Sequence, residues 1–311
     1  NDTWTNKTAT AQTVTYAIIP RINGGCIGDQ ENVIVTVNPE PDLSSLNTTV
    51  CSDASTGVTL EDVHNLANSF EIVSITPQAG LVTTVGNATT GAGQGDNAIV
   101  NDKWTNKTAT AKTVTYAIIP RIAGGCIGDQ ESVVVTINPE PDLNNLNTSI
   151  CSDVATGVTL TDLNGIANSF EIVSITAQAG LVTTAGNATV GAGKTSTAIL
   201  NDKWTNKTSG SLTVTYAIIP RVGGGCIGDQ EDVVITVNPE PDLNLLSATV
   251  CSDAVTGITL SDVHGLADRY EIVSITPTGG ITPGGSNATT GTGKLAGAIV
   301  NDTWHNKKAN E

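Results

Sequence analysis

The phrase Asn-Asp-x-Trp-x-Asn-Lys recurs around Trp4, Trp104, Trp204 and Trp304, with a spacing of 100 residues each time. The same period returns TVTYAIIPR at 13, 113 and 213, GGCIGDQE at 24, 124 and 224, and an NPEPDL phrase after a Val or Ile at 37, 137 and 237. A unit this long can bury its own core, which a solenoid repeat of roughly 30 residues cannot do alone. The period therefore predicts a tandem array of separately cored domains.

Composition narrows the class of domain. Aromatic residues make up 3% of the chain, Met is absent, and Thr, Val, Ile, Gly and Asn are abundant. That mixture favours short β-strands joined by turns around an aliphatic core. The net charge of -16 argues against nucleic acid, whose phosphates are neutralised by Lys and Arg, and against an anionic membrane surface. No run of 18 apolar residues occurs, so no membrane-inserting segment is expected here.

Pro39-Glu40-Pro41-Asp42 and its counterparts at 139 and 239 read as joints, because paired prolines stiffen the chain and remove backbone donors. Framing on them predicts complete repeats at 41–140 and 141–240. Residues 1–40 are then the carboxy-terminal part of a repeat and 241–311 the amino-terminal part of another. The chain opens mid-phase, as a processed product or a window of a longer array does.

Within 41–140, strands are expected at 48–51, 58–60, 70–76, 81–85, 98–104, 113–120 and 132–138, with a helical turn capped by Thr59 and Asp62 and a glycine-rich loop at 91–95. Val114, Tyr116 and Ile118 alternate with polar or small neighbours, as do Val133, Val135 and Ile137. About seven short strands per 100 residues predict an all-β fold of tandem immunoglobulin-like β-sandwiches. One Trp per repeat is expected in the core, with Tyr116 beside it.

Six cysteines recur two per period, at 26, 51, 126, 151, 226 and 251, without CxxC spacing. Such a set reads as a disulfide framework in an oxidising, extracellular setting. In a sandwich, the loop before the last strand lies where the chain comes in, and that strand then runs roughly 27 Å to the opposite pole. Bridged Cα atoms lie within about 7 Å. The expected bridges are accordingly Cys51 with Cys126 and Cys151 with Cys226, leaving Cys26 and Cys251 to partners in another chain or in further sequence.

The run VTYAIIPRINGGCIGDQENVIVTVNPEPDL, preceded by WTNKT and followed by CSD, resembles the PKD-like and Ig-like repeat modules of large surface proteins of Bacteroidetes-type bacteria. The resemblance implies an adhesin, gliding-motility or filament protein at the cell surface, exported by a type IX system.

Catalytic patterns are missing. GxSxG does not occur, and no Ser, His and Asp set recurs, since His64 is replaced by Asn164. The stretch Gly191–Thr195 lacks the glycine that a phosphate loop needs at 188, where Ala188 stands. The chain is therefore read as a non-enzyme without a resident cofactor. Calcium is the one candidate ion: Asp53, Asp129 and Glu131, with Asp153, Asp229 and Glu231 one period on, are hard oxygen ligands expected near the poles, where an ion would stiffen the joint. The alternative is that they are solvated turn residues. Lys107 is a candidate for an isopeptide cross-link or for simple solvation, and Asn6, Asn106 and Asn206 each open an N-x-[ST] triplet.

Three functional readings follow. The first is a structural stalk or filament segment whose partners are neighbouring repeats or copies of the same protein. The second is an adhesive module that recognises surface glycans through the loop at 94–97, which diverges at 194–197 and 294–297. The third is a head-to-tail polymer in which 241–311 and 1–40 of different copies complete one sandwich by strand donation.

Overall fold

The computed structural model describes residues 2–223 and 225–306. The chain is an all-β array of tandem immunoglobulin-like sandwiches, and no helix occurs among the described residues. Nor, then, is there a helix among them long and apolar enough to cross a membrane. Two compact units divide it. The first takes the chain up to Leu143 together with Thr161–Ser169 and Pro220–Asp229; the second takes Asn144–Leu160, Phe170–Ile219 and the residues from Gln230 on.

A two-stranded antiparallel hairpin, β1 (Gln12–Ile18) and β2 (Glu31–Val37), opens the first unit. After it come β3 (Thr48–Cys51), β4 (Ser69–Pro77), β5 (Leu81–Thr83), β6 (Gly91–Gln94), β7 (Trp104–Asn106), β8 (Lys112–Arg121) and β9 (Glu131–Asn138). They form a five-stranded sheet in the order β3-β9-β8-β4-β6 and a two-stranded sheet, β5-β7. Antiparallel β8 and β9 align Val114 with Val135 and Tyr116 with Val133, while β3 runs parallel to β9.

The alternation in the sequence sets the core. Val114, Tyr116, Ile118, Val133, Val135 and Ile137 are all fully buried, because side chains two apart share a face of a strand. They meet Phe70 and Ile72 of β4, Trp104 of β7, and Leu43, Val58, Leu60 and Ile99 from the connections. Trp104 is thus core, and its indole Nε1–H donates to the Tyr116 hydroxyl at 2.9 Å. The hydroxyl in turn donates to the buried Asp102 carboxylate at 2.8 Å, which also accepts from the Ala88 N–H. Burial raises the Asp102 carboxyl above its ordinary pKa against the pull of those donors, and burial likewise raises Tyr116. The chain of bonds leaves no polar end of the two aromatics unsatisfied.

The same plan recurs one period on in β10 (Thr148–Cys151), β11 (Ser169–Ala177), β12 (Leu181–Thr183), β13 (Gly191–Lys194), β14 (Trp204–Asn206), β15 (Leu212–Arg221) and β16 (Glu231–Asn238). Their sheets are ordered β10-β16-β15-β11-β13 and β12-β14. Residues beyond 240 repeat only part of it. There β17 (Tyr270–Ile272) pairs β19 (Gly291–Lys294), and β18 (Ile281–Pro283) pairs β20 (Trp304–Asn306).

Several local expectations change. Gly91–Gln94 is a strand paired to Phe70 and Ile72 across a register shift, not a loop. The helical turn at Asp62 is instead an Asx turn, in which the Asp62 carboxylate accepts the N–H of His64 at 3.0 Å and that of Ala67 at 2.5 Å. Val58 and Leu60 are buried but lie outside any strand, and most of 98–104 is turn.

The disulfide pairing also differs. Cys51 is bonded to Cys226, 175 residues away, with Cα atoms 5.4 Å apart, whereas Cys126 and Cys151 are free thiols, as are Cys26 and Cys251. The bridges Cys51–Cys126 and Cys151–Cys226 are therefore not those of the structure. The cause is the direction of β3. Running parallel to β9, it sets Cys51 opposite Asn138, at the pole where β9 ends. Cys126 precedes β9, and a strand of eight residues separates the two by about 24 Å.

Candidate functional site

The joint around Pro139–Leu143 gathers the residues that the chain repeats most faithfully, all within the first unit. Three devices converge there: a turn that presents a lysine, a hairpin tip that carries a cysteine, and the acidic joint itself.

The turn is Asn106-Lys107-Thr108. Fully buried Asn106 donates through Nδ2 to the carbonyls of Ile137 at 2.8 Å and Thr110 at 3.0 Å, and its Oδ1 accepts from the Thr108 N–H and hydroxyl. Its carbonyl takes the Glu140 N–H at 3.0 Å. Asn6 repeats the side-chain bonds to the carbonyl of residue 37 and to Thr8, and Asn206 those to residue 237 and to Thr208. These triplets are structural turns, and in Asn106 and Asn206 the amide has no exposed surface to modify.

Lys107 thereby stands among three carboxylates. Its Nζ lies 3.0 Å from Asp229, 3.2 Å from Asp142 and 3.9 Å from Glu140. Burial works against its charge, but the bonds to Asp229 and Asp142 outweigh that and hold the ammonium pKa above its ordinary value. Lys7 occupies the equivalent place, 2.8 Å from Asp129, 2.9 Å from Glu40 and 3.5 Å from Asp42, and hydrogen bonding to Asp129 and then Glu40 raises it too. In the second unit Lys207 lies 3.6 Å from Glu240.

Glu140 is the strained member. It is 2% exposed, and its Oε1 has no hydrogen-bond partner among the described residues. Burial first, then the neighbouring Asp53 and Asp229 charges, push its carboxyl up to about 7 against the pull of Lys107. Burial also raises Glu131, with Asp42 beside it adding to the shift.

The hairpin tip between β15 and β16 delivers Cys226. Arg221 bridges to Ile227, and the Cys226 sulfur rests 3.9 Å from the Asn138 carbonyl. A β-carbon on Gly228 would collide with the Pro141 carbonyl oxygen, as one on Gly128 would with that of Pro41. Only glycine lets the tip sit this close. Position 64 and its repeats tie the same place: His64 bonds the Lys7 carbonyl, and Asn164 donates to the carbonyls of Lys107, Thr108 and Glu140. The His-to-Asn exchange preserves this role, since either ring or amide nitrogen can donate.

Of the six acids expected as calcium ligands, Asp129 and Asp229 face lysines, and Asp53 lies beside Glu140. Glu131 accepts the Leu43 N–H at 3.3 Å, Asp153 is held below its ordinary pKa chiefly by the Thr205 hydroxyl, and Glu231 opens β16. Among the described residues, no group of three or more His, Cys, Asp and Glu is placed to hold a metal. The centres of the acidic joints at 39–43 and 139–143 are lysines, Lys7 and Lys107, a residue type that in an Asn-Lys-Thr phrase suggests solvation or a cross-link. Its period beside NPEPD, in a chain with 14 Lys and Arg in all, was the available signal.

A family described as PKD-like domain matches residues 1–41, 48–141 and 148–241. No curated protein matches. Solved structures that are similar include human CDH23 EC21-23, 14% identical with a TM-score of 0.29 over 88% of this chain and 91% of that one. Mouse cadherin-23 EC22-24 is 11% identical, with a TM-score of 0.26 over 88% and 90%. Mouse protocadherin-24 EC1-3 is 13% identical, with a TM-score of 0.22 over 75% and 81%.

Proposed function

This chain belongs to the PKD-like domain family, and from that premise we propose that it is a load-bearing stalk segment of an extracellular, cell-surface protein. The observation that carries the reading is the Cys51–Cys226 bridge. It joins the first strand of one repeat to the last hairpin of the next. Tension applied along the backbone then passes from one sulfur to the other, and residues 52–225 lie outside the covalent line of load. The lysine-centred joint adds ion pairs, each worth a few tenths to about 1 kcal/mol where solvent screens it. A persistent disulfide also suits an oxidising compartment.

Single-molecule stretching of the whole chain tests this. Oxidised molecules are expected to withhold about 600 Å of contour that reduction releases, at about 3.4 Å per residue across the loop. Equal extension before and after reduction would reject the stalk reading.

The adhesive reading rests on the exposure of residues 95–97 and 195–197, where neighbouring repeats diverge. A glycan array probed with the whole chain decides it. The stalk reading expects no binding above that of an unrelated β-sandwich.

A further inference from the structure

We propose that Glu140 is a proton-operated latch: with its proton it closes the joint at Pro139–Leu143 onto the hairpin tip that carries Cys226, and on losing that proton it lets the contact open while the Cys51–Cys226 bridge keeps the two sides tethered. The latch belongs to the joint itself, whether or not the chain carries load.

Covalent geometry brings the acids together first. Cys51 stands two residues before Asp53, and Cys226 three before Asp229. The bridge, with its Cα atoms 5.4 Å apart, therefore holds both carboxylates at one place whatever their charge. Asp53 is fixed further by its own turn. Its φ is +59°, its N–H donates to the Trp104 carbonyl at 3.0 Å, and its Oδ1 accepts the Thr105 hydroxyl at 2.5 Å.

Glu140 is held against them. Pro139 and Pro141 restrict the backbone on either side. The Glu140 N–H donates to the Asn106 carbonyl at 3.0 Å, and the Glu140 carbonyl accepts the Asn164 Nδ2 at 2.7 Å. With the backbone tied at both ends, the side chain cannot turn out to water while those bonds stand, and it is 2% exposed. Its Oε1 has no hydrogen-bond partner among the described residues. An ionised carboxylate there has lost its hydration without gaining a full set of donors, so the site favours the neutral acid.

The surrounding charges act in the same direction. Asp53 faces Glu140 from the turn after β3, Asp229 from the hairpin tip, and Lys107 from the turn after β7, with Asp142 of the joint drawn onto Lys107. The single ammonium lies nearer Asp229 and Asp142, at 3.0 and 3.2 Å, than Glu140, at 3.9 Å. It leaves Glu140 and Asp53 uncompensated. Those two carboxyls are within hydrogen-bonding reach of each other. With one proton between them the Glu140 O–H donates to Asp53; with none, they repel.

The carboxyl titrates at about 7 in the closed joint, against an ordinary value of 4.5. Closing therefore takes up a proton between those values, so the latch is strongest below the lower one, weakens as pH rises, and is weakest above the higher one. Lys107 stays charged throughout, because its carboxylate partners raise its pKa. Position 164 carries Asn where 64 and 264 carry His. The tie on the Glu140 carbonyl thus does not titrate in the same window.

Hydrogen–deuterium exchange of the full chain, read on a peptide spanning the joint, tests the latch. Pro139 and Pro141 have no N–H, so the segment between Asn138 and Leu143 reports Glu140 and Asp142. After correction for intrinsic rates, the parent is expected to lose more than about tenfold in protection between about pH 5 and about pH 8. The joint should also exchange faster than β8 and β9 at both, as a local opening does. Glu140→Gln should keep its protection at the higher pH. Asp53→Asn is a second variant that keeps the turn, since Asn also accepts a positive φ, and its loss should be smaller than the parent's. Equal protection at the two pH values in the parent would overturn the latch. So would an E140Q chain that follows the parent, a D53N chain with the parent's full loss, or a joint that exchanges only in step with β8 and β9.

Discussion

The hairpins β1–β2 and β8–β9 share nearly one sequence and one register but not one environment. In β8–β9 the inward Val, Tyr and Ile side chains are fully buried, whereas in β1–β2 the corresponding Val33 and Val35 are largely exposed. The same contrast reaches the polar core. Trp104 is 4% exposed and Trp4 53%, although both donate to a tyrosine hydroxyl at 2.9 Å. Strand pairing and the Trp–Tyr bond are thus encoded within a short stretch of chain. Burial is not, because it comes from strands roughly 40 to 90 residues away, and burial supplies most of the free energy.

Paired substitutions break this comparison at different depths. The largest effect is expected from Val135→Asp, which places a charge in a closed core and should unfold its repeat, a loss above about 4 kcal/mol. Val35→Asp should leave the melting of the complete repeats within about 0.5 kcal/mol. Thermal denaturation followed by circular dichroism separates the two.

Next come the cysteines, which share a seat but not a bond. Cys226→Ser opens a loop of 175 residues and should cost about 3–5 kcal/mol in chemical denaturation. Cys126→Ser should cost the isolated chain almost nothing, since that thiol is free.

Tyr116→Phe is expected to cost about 1–3 kcal/mol, because it leaves the Trp104 N–H and the buried Asp102 carboxylate each short of a partner. Tyr16→Phe, at the exposed copy, should fall within about 0.5 kcal/mol.

The smallest effect concerns Glu140. Its carboxyl holds a proton up to about pH 7 in the folded protein, against an ordinary value of 4.5. The folded state binds the extra proton between those values, so stability should decline as pH rises through that window. Glu140→Gln should flatten part of the slope in the melting temperature measured from pH 4.5 to 7. Glu131, also raised, keeps the remainder.

Much of the fold was legible because its strands announce themselves by alternation, as at 113–120 and 132–138, and because the period repeats each clue. Gly91–Gln94 was not legible, since glycine carries no strand preference and only pairing with Phe70 and Ile72 makes it a strand. Asp62 reads as a helix cap in the sequence, but its carboxylate takes the N–H groups of His64 and Ala67 and closes a turn instead. The cysteine pairing failed for a nonlocal reason. Which way β3 runs beside β9 is fixed by residues 87 apart, and no neighbouring residue records it. At the joint, Asp129, Asp229 and Lys107 are visible in the sequence as separate candidates, but not the ion pairs that join an acid to a lysine. A lysine in an Asn-Lys-Thr turn reads as solvated until the buried Asn106 and the next repeat's Asp229 are seen around it.

The central claim is that consecutive repeats are stapled across their joint. Non-reducing peptide mapping of the freshly isolated monomer by mass spectrometry tests it most directly. The account predicts a linked peptide pair containing Cys51 and Cys226, with Cys126 and Cys151 alkylated as free thiols. Linked pairs containing Cys51 with Cys126 and Cys151 with Cys226 would contradict it, because each repeat would then be closed on itself and the joint left to its ion pairs.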